Sequence, residues 1–260
     1  MTAAPLPSWW RLPRKVSDPH LISSAENDLV RRIRRLSLER GAGEVLLEGP
    51  RVIEQAAASG VRLELLAVRE GDEFEVEAER RVVLSRGLFR TLSQTQTPQG
   101  VLAIGLLTAS TLEEARSAAA GARWPLVVLD GIQDPGNVGA IARTAAAAGA
   151  PSLLVLPGTA DPFGSKAIRS SAGHVFNLRV SRATWLDLGG LRCVGASSRG
   201  ISVEEMDLAT VEALVLGSEA HGLSRRLETV ALPMAEGVES LNVAAAAAIL
   251  LYEVRRRLAA

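Results

Sequence analysis

This sequence has very little cysteine and histidine. Its single cysteine, Cys193, excludes an internal disulfide and a metal site built from cysteines. The three histidines, His20, His174 and His221, are far apart and do not have a metal-ligand spacing. We therefore expect no metal site, and we expect Cys193, within the apparent strand LRCVGA, to be a buried and inert thiol.

Neither sign of charge predominates. The chain carries 29 Lys and Arg against 29 Asp and Glu, for a formal net charge of 0, which argues against a protein that coats nucleic acid. Lysine occurs only at positions 15 and 166, so the basic side is almost entirely arginine. Arginine suits phosphate binding and base stacking, but a GC-rich genome would produce the same bias. Local clusters are therefore more informative than the total.

A long apolar run is also missing. The run 243–251 is too short to span a bilayer, and the N-terminal residues contain prolines, Trp9 and Trp10 where a signal peptide needs an apolar core. We therefore expect a cytoplasmic protein with no membrane partner. Hydrophobic residues make up 47% of the 260 residues, which provides a core for one large domain or two smaller ones.

The pattern divides the chain into four parts. Residues 1–18 form a tail without periodicity, whose tryptophans either stack on bases or dock on the protein's own surface. Residues 19–107 predict a small α/β domain and residues 108–123 a helical linker. Residues 124–260 predict a larger α/β domain.

A helix is predicted from Asp28 to Arg40, with Ser23 or Ser24 as its N-cap. Its apolar stripe leaves a basic cluster on the other side: Arg31, Arg32, Arg34 and Arg35. Such a cluster is either a solvated face or a phosphate-facing surface, and both interpretations stay open.

In the larger domain, continuous apolar strands alternate with helices. The predicted strands are LVVLD, SLLVLPG, LRCVGAS, ALVLG and TVALP. This pattern predicts a parallel sheet covered on both faces, whose ligands bind outside the carboxyl ends of the strands. The loops at those ends are DGIQDPGN, GTADPFGSK, ASSRG, GSEAHGLS and MAEGVESLN.

The first of these loops precedes an Ala-rich helix. Asn137 is the predicted N-cap, and Arg143 is the only charged residue on the helix. The loop has no GxGxxG and no Gly-Lys-Ser/Thr, so a dinucleotide or nucleoside triphosphate site has little support. A GxSxG elbow is also absent, which leaves a hydrolase triad without support.

Three segments agree with one known family in order and spacing. DPGNVGAIARTAAAAG, LVLGSEAHGLS and LPMAEGVESLNVAAAAAILLYE closely resemble the signature motifs of the SpoU/TrmH family of RNA ribose 2′-O-methyltransferases, in the SPOUT superfamily. This resemblance spans about residues 124–256. The segments ISSAENDLVRRIRRLSLERGAGEVLLEGPRVIEQAA and TQTPQGVLAI are similar to the substrate-binding domain of many members, which resembles an RNA-binding ribosomal protein. At the turn where members usually carry a basic residue, this chain instead has Gly41-Ala42-Gly43.

The resemblance implies an α/β knot fold, in which a deep trefoil knot holds S-adenosylmethionine. It implies cofactor contacts at five positions: Leu216, Gly217, Leu232, Leu241 and Asn242. It implies catalytic roles at five positions: Asn137, Arg143, Glu219, Ser240 and Asn242. The candidate RNA contacts are four arginines: Arg31, Arg34, Arg35 and Arg143. The sulfonium supplies the electrophile, so no metal is required.

The implied polar residues also have structural interpretations. Asn137 and Ser240 would each suit a helix N-cap, and Glu219 would suit a cap or a pair with an arginine. Asn242 has no such alternative, because neither propensity nor packing favours it at the start of an Ala-rich helix.

The implied cofactor residues can be interpreted in the same way. A glycine at 217 removes a Cβ that would obstruct close approach of the backbone to a ligand. Leu232 and Leu241 are expected to offer main-chain contacts while their side chains join the core.

Arg143 is the strongest catalytic candidate. The family role makes it the base for the ribose 2′-hydroxyl, but a guanidinium stays charged in proteins. Our hypothesis is that Arg143 holds a phosphate and the attacking oxygen in line with the methyl group, which is catalysis by positioning.

The resulting functional hypothesis is methyl transfer to a ribose 2′-hydroxyl in structured RNA, with 23S ribosomal RNA as the expected substrate. The alternatives are a tRNA methyltransferase, a non-catalytic RNA-binding protein on the same fold, and a dinucleotide-dependent enzyme. The helix 242–258, which ends in three arginines, is Ala-rich on one side. By resemblance, the knotted region forms a homodimer whose active site takes RNA contacts from both chains.

Overall fold

The structure, a computed structural model, describes residues 21–41 and 43–259 as two α/β units. The predicted tail 1–18 and Ala42 of the glycine turn lie outside the described residues. In its described residues, the first unit contains five strands and three α-helices: β1 (Leu21–Ile22), α1 (Asp28–Leu38), β2 (Glu44–Glu48), α2 (Pro50–Ala58), β3 (Arg62–Arg69), β4 (Arg80–Leu84), α3 (Arg86–Leu92) and β5 (Val101–Leu106).

The sheet of the first unit is mixed and has the order β1-β4-β3-β5-β2. Strands β1, β4 and β3 are parallel, whereas β5 runs antiparallel to both β3 and β2. Apolar side chains of α1 and α3 cover one face of the sheet, and those of α2 cover the other. Both faces are therefore buried, which agrees with the apolar character of β3 and β5.

Helix α1 begins at Asp28, as predicted, but its N-cap and its end differ from the sequence prediction. Its N-cap is Asn27, whose side chain accepts a hydrogen bond from Leu29 N at 2.9 Å. The prediction of Ser23 or Ser24 was wrong, because Asn27 is the extended residue directly before the first helical turn. The helix ends at Leu38 rather than Arg40.

Up to residue 259, the second unit contains six strands and four α-helices: α4 (Leu112–Ala122), β6 (Leu126–Asp130), α5 (Pro135–Ala148), β7 (Ser152–Val155), α6 (Ser165–Ser170), β8 (Arg179–Arg182), β9 (Cys193–Ser202), β10 (Ala213–Gly217), β11 (Glu228–Ala231) and α7 (Val243–Leu258). The sheet has the order β11-β9-β10-β6-β7-β8, and every neighbouring pair is parallel. This confirms the predicted parallel sheet. The edge strand β8 was missed, because its four residues, RVSR, do not form an apolar run.

Helix α4 lies within the predicted linker and packs against the second sheet. Ala115 and Ala119 are buried in a cluster with Leu126 and Leu154. The helix starts with a capping box, in which Thr111 Oγ1 accepts from Glu114 N and the Glu114 carboxylate accepts from Thr111 N. The segment before β6 is therefore a packed element of the second unit.

The two units share a hydrophobic cluster that runs from the α2 face of the first sheet into the second unit. Polar contacts also cross the junction. Arg40 Nε lies 2.6 Å from Asp161 Oδ2, and Arg169 Nη1 donates to Gln94 Oε1 at 2.6 Å. Among the described residues, no helix combines the length and apolar character that crossing a membrane requires.

Candidate cofactor and active site

A cavity of about 410 Å³ lies at the carboxyl ends of β9, β10 and β11. Its walls come from a segment within β9, from β10 and β11 with the segments that follow them, and from α7. It is the location expected for a ligand in an open parallel sheet. Six predicted site residues line it: Gly217, Glu219, Leu232, Ser240, Leu241 and Asn242.

One wall of the cavity is an excursion within β9. On β11, Thr229 and Val230 are adjacent, but their partners on β9 are Gly195 and Ile201. Residues 196–200 therefore leave the ladder, and Ala196, Ser197 and Ser198 line the cavity. The ASSRG motif was expected as a loop after a strand, and the structure places it inside a strand that resumes beyond it.

The loop after β10 folds back tightly on Gly217. Ser218 and Gly222 exchange two backbone hydrogen bonds, of 3.0 and 2.7 Å. A Cβ on Gly217 would lie 2.6 Å from the carbonyl group of Gly222, a distance that real Cβ atoms do not show. The return of the loop therefore already requires glycine at this position, whether or not a ligand approaches its backbone.

Asn242 joins three elements at the rim of the cavity. Its Nδ2 donates to Glu219 Oε1 at 2.6 Å and lies 3.2 Å from Asn137 Oδ1, on α5. Glu219 Oε1 also accepts from Val243 N at 3.3 Å. Three of the predicted catalytic residues, from three distant parts of the sequence, thus form one hydrogen-bonded cluster.

The structure corrects the capping assignments of both helices. Asp134, not Asn137, is the N-cap of α5: Pro135 occupies the first helical position, and the Asp134 side chain accepts from Asn137 N. In α7 the N-cap is Asn242, whose Oδ1 accepts from Ala244 N and Ala245 N, and not Ser240. Asn242 is therefore favoured by local structure, contrary to the prediction, and its amide remains free for the cluster.

Asp134 carries a second interaction at the start of α5. Lys166 Nζ donates to its Oδ1 at 2.5 Å. This hydrogen bond, followed by the backbone N–H of Gly136, lowers the pKa of Asp134 below its ordinary value of 3.8. The side chain of Asp134 is 46% exposed, so solvent screening limits the strength of the ion pair.

The predicted leucines divide into two groups. Leu216 is fully buried in β10 and is not a lining residue, so its side chain belongs to the core. Leu232 lines the cavity and packs against the core. Leu241, which was expected in the core, is 40% exposed and lines the cavity, because it lies in the segment before α7.

Arg143 lies outside the cavity lining. It is an exposed residue of α5, six positions after Asn137 and therefore about 9 Å further along the helix axis. Within residues 21–41 and 43–259, its guanidinium makes no hydrogen bond or ion pair. The structure thus leaves Arg143 apart from the cluster of Asn137, Glu219 and Asn242.

The arginines of α1 differ in their availability. Arg31 pairs with Glu26 and Asp28, and these hydrogen-bonded and Coulombic contacts, led by Asp28, raise its pKa. Arg32 is bound by Glu44 and Glu64, which fixes α1 to the sheet. Arg35 lies 3.7 Å from Glu44 and is 65% exposed. Arg34 is also exposed.

The three arginines at the end of α7 all have partners. Arg255 donates to the carbonyls of Ala147 and Ala148, and so it caps the carboxyl end of α5. Arg257 donates to the carbonyls of Val203 and Glu204, and Arg256 pairs with Glu253. The cluster is therefore used within the fold, and one of its members joins α7 to α5.

Cys193 is half-buried at the start of β9. Burial raises the pKa of its thiol, and the neighbouring charge of Glu212 acts in the same direction. Both effects disfavour the reactive thiolate. In the described part of the chain, no group of three or more His, Cys, Asp and Glu side chains is placed to hold a metal ion.

Sequence reasoning missed several lining residues and two that fix the loops. Met234 lines the cavity after β11, and Thr159 joins two loops by accepting from Gly131 N and donating to the carbonyl of Leu129. Asp130 is buried and binds Ser224. The one available signal was a charged residue, Asp130, that ends an otherwise apolar strand.

Two family models match the chain. The SpoU rRNA Methylase family matches residues 125–252, which contain the second sheet and the cavity. The MRM3-like substrate binding domain matches residues 27–103, within the first unit.

Two curated relatives align over nearly their whole length. The chain is 30% identical to 23S rRNA (guanosine(2553)-2′-O)-methyltransferase RlmP of Bacillus subtilis, over 90% of this chain and 98% of the relative. It is 32% identical to an uncharacterized tRNA/rRNA methyltransferase of Synechocystis, over 93% and 95% of the two chains.

Solved structures agree with this relationship. The SpoU methyltransferase AviRb of Streptomyces viridochromogenes, in complex with AdoMet, superimposes with a TM-score of 0.75 at 29% identity, over 90% of this chain and all of that chain. An AdoMet-bound rRNA methyltransferase of Sinorhizobium meliloti gives a TM-score of 0.77 at 26% identity, over 92% and 98% of the two chains. The chain therefore belongs to the SpoU family of S-adenosylmethionine-dependent RNA 2′-O-methyltransferases.

Proposed function

We propose that this enzyme methylates a ribose 2′-hydroxyl of 23S ribosomal RNA, with S-adenosylmethionine bound in the cavity at the ends of β9, β10 and β11. The observation that carries the proposal is the cluster in which Asn242 joins Asn137 and Glu219 at the rim of that cavity. The volume of about 410 Å³ lies within the range of small-molecule pockets. A ribosomal substrate implies a cytoplasmic enzyme.

The predicted site residues would have separate roles in binding the cofactor and in positioning the RNA. Gly217, Leu232 and Leu241 would offer main-chain groups to the cofactor, and Ser240 and Asn242 would approach its reactive end. Bound there, S-adenosylmethionine supplies an electrophilic methyl group. Asn137 and Glu219 hold the Asn242 amide in place, and Arg143 positions a phosphate and the attacking 2′-oxygen by charge and geometry.

A homodimer would account for the position of Arg143. This residue is exposed on α5 and does not line the cavity of its own chain. Helix α7, which packs against α5, exposes two large apolar side chains, Ile249 at 45% and Tyr252 at 51%. We propose that these helices form the interface and that each active site takes RNA contacts from both chains. A monomeric mass of the wild type in light scattering at micromolar concentration would contradict this arrangement.

The trefoil knot is likewise a proposal. It is supported by the path after β11, which is the edge strand of the sheet. From that edge the chain passes the cavity and continues into α7, which packs against α5. Two segments, 217–223 and 232–242, would then wrap the cofactor from opposite sides.

The first unit, within residues 19–107, would bind the RNA. The match to a substrate-binding domain over residues 27–103 supports this role. Arg34 and Arg35 are the best-placed contacts, because both are exposed. Arg31 is engaged with two acidic neighbours and would have to exchange them for a phosphate.

The decisive experiment has a cofactor arm and an RNA arm. Ala246 lines the cavity from α7, so Ala246→Phe should fill it and reduce S-adenosylmethionine binding in calorimetry. For the substrate, 2′-O-methyl groups are mapped in 23S ribosomal RNA and in tRNA from a deletion strain. Loss of one 23S site, restored by the wild-type gene but not by the Arg143→Ala gene, would support the proposal.

Other outcomes select the alternatives. Loss of a tRNA methyl group would identify a tRNA enzyme instead. Intact methylation together with no S-adenosylmethionine binding would identify a non-catalytic RNA-binding protein. Stabilisation by NAD rather than S-adenosylmethionine would identify a dinucleotide-dependent enzyme.

A further inference from the structure

A buried carboxyl group lies beneath the loop that follows β10. Asp130 ends β6 and is only 3% exposed. It is the register partner of Gly217, the last residue of β10, so its side chain lies beside the point where the loop leaves the sheet. Nothing in the proposed chemistry uses Asp130, and a buried acid needs hydrogen-bond donors.

Ser224 supplies these donors. Its backbone N–H donates to Asp130 Oδ2 at 2.7 Å, and its hydroxyl donates to Asp130 Oδ1 at 2.8 Å. Among the described residues, these are the hydrogen bonds that the Asp130 side chain makes. Both carboxyl oxygens are thus bound by a single residue, 94 positions later in the chain.

Trp185 adds a third member to this series of hydrogen bonds. Its indole Nε1 donates to Ser224 Oγ at 2.8 Å, so the hydroxyl accepts from Trp185 and donates to Asp130. The guanidinium of Arg225 lies 5.7 Å from the centre of the Trp185 ring. Hydrogen bonds that polarise one another in sequence hold the central hydroxyl in one orientation.

The loop between Gly217 and Ser224 is consequently fixed at both ends. Five of its residues line the cavity: Gly217, Ser218, Glu219, Gly222 and Leu223. Towards one end Glu219 binds Asn242 and Val243 at the start of α7. At the other end Leu223 fills the space above Gly195, where an added Cβ would lie 2.3 Å away, and Ser224 binds Asp130.

We propose that Asp130, with Ser224 and Trp185, is a positioning group that holds the 217–224 loop in the conformation that binds S-adenosylmethionine. The proposal rests on the assignment of the cavity to this cofactor. None of the three residues lines the cavity, so they act through the loop. Their loss should weaken cofactor binding and leave RNA binding and the chemical step intact.

Substitutions of Asp130, Ser224 and Trp185 remove different numbers of these hydrogen bonds. Ser224→Ala removes the hydroxyl, and we expect the Kd of S-adenosylmethionine to rise about tenfold. Trp185→Phe removes one donor to the hydroxyl, and the expected rise is about threefold. Asp130→Ala should have the largest effect. Asp130→Asn should recover most of the affinity, because an amide accepts from Ser224 N and donates to Ser224 Oγ.

Calorimetry with S-adenosylmethionine and steady-state kinetics distinguish positioning from plain stabilisation. For Ser224→Ala we expect a raised KM for S-adenosylmethionine, with the KM for RNA and the kcat at saturating cofactor within about twofold of the wild type. Ser152→Ala is the matched control, since this hydroxyl is fully buried in β7 and lacks a partner among the described residues. It should leave the cofactor affinity unchanged.

A lower Tm with an unchanged Kd in Ser224→Ala and Trp185→Phe would overturn the proposal, and these two variants decide if Asp130→Ala fails to fold. Ala246→Phe tests separately whether S-adenosylmethionine occupies this cavity at all. If it leaves the affinity unchanged, the cofactor does not occupy this cavity. If it abolishes binding while Ser224→Ala does not alter it, only the positioning role is lost.

Discussion

Asn242 and Glu219 are joined by a hydrogen bond of 2.6 Å from Nδ2 to Oε1, while Oδ1 of the same asparagine caps α7. The two ends of one amide thus have different tasks. Its oxygen accepts from backbone N–H groups and begins the helix, and its nitrogen donates to the cluster at the cavity rim. Substitutions can separate these tasks.

Asn242→Asp should retain the cap and lose the cluster. A carboxylate still accepts from Ala244 N and Ala245 N, but it replaces a donor with a charge beside Glu219. We expect methyl transfer to fall about 100-fold, with less than about 1 kcal/mol of change in the free energy of unfolding. Activity assays and urea denaturation measure the two effects. If the loss in the free energy of unfolding accounted for the whole loss of methyl transfer, Asn242 would serve only to cap the helix.

Glu219→Gln is the companion substitution. Its amide oxygen can still accept from Asn242 and Val243, so the geometry should persist. We expect activity within about tenfold of the wild type, because only the charge on the acceptor is lost. Glu219→Ala should lose far more, since Val243 N loses its side-chain acceptor and the Asn242 amide keeps only its contact with Asn137. If the two variants lose activity equally, the negative charge itself is required.

Arg143→Ala should abolish methyl transfer and leave the binding of S-adenosylmethionine unchanged. The guanidinium lies outside the cavity lining, so calorimetry with the cofactor should match the wild type. Arg143→Lys should recover little activity, because an ammonium group lacks the planar fork that holds a phosphate and a second oxygen together. Retained turnover in the alanine variant would remove Arg143 from the mechanism.

The ion pair of Asp134 with Lys166 predicts a pH dependence of stability. The folded-state pKa of Asp134 is lowered, so its charge stabilises the fold above its ordinary pKa of 3.8. That contribution is lost as the pH falls through the lower folded-state value. Asp134→Asn, which keeps the cap, should therefore be less stable than the wild type at pH 7, by less than about 1 kcal/mol. The difference in the free energy of unfolding between the wild type and Asp134→Asn should become smaller near pH 3. Urea denaturation at both pH values tests this, and a gap independent of pH would contradict it.

Asp134→Ala removes the cap as well as the charge. We expect a further loss of about 1 kcal/mol, because Asn137 N then has no side-chain acceptor at the start of α5. The control is Asp161→Ala, which breaks the pair with Arg40 at the junction of the two units instead. The loss in free energy of unfolding caused by Asp161→Ala should be the same with or without the Asp134→Ala substitution. In the double variant the two losses should therefore add.

The parallel sheet and the three motif regions were predictable from local pattern. Strands such as β6 and β10 are short, continuous apolar runs, and ligands lie at their carboxyl ends. The position of Leu241 in the cavity wall and the β9 excursion were not predictable. Both depend on which strands become neighbours, which periodicity does not specify.

The capping errors have a local cause. Asn137 and Ser240 both suit an N-cap by residue type, but a proline at the first position of α5 moves its start to Asp134. The contact of Arg255 with α5 and that of Asp130 with Ser224 join residues about a hundred positions apart. No spacing rule identifies such pairs.

The walls of the cavity come from four successive parts of the chain, and the last of them is α7. The loop 217–224 meets Asn242 at the start of that helix, and Arg255 joins the far end of the helix to α5. With α7 undocked, the proposed cofactor site would lack one of its walls. We therefore expect S-adenosylmethionine to bind the completed fold and to stabilise the docked position of α7.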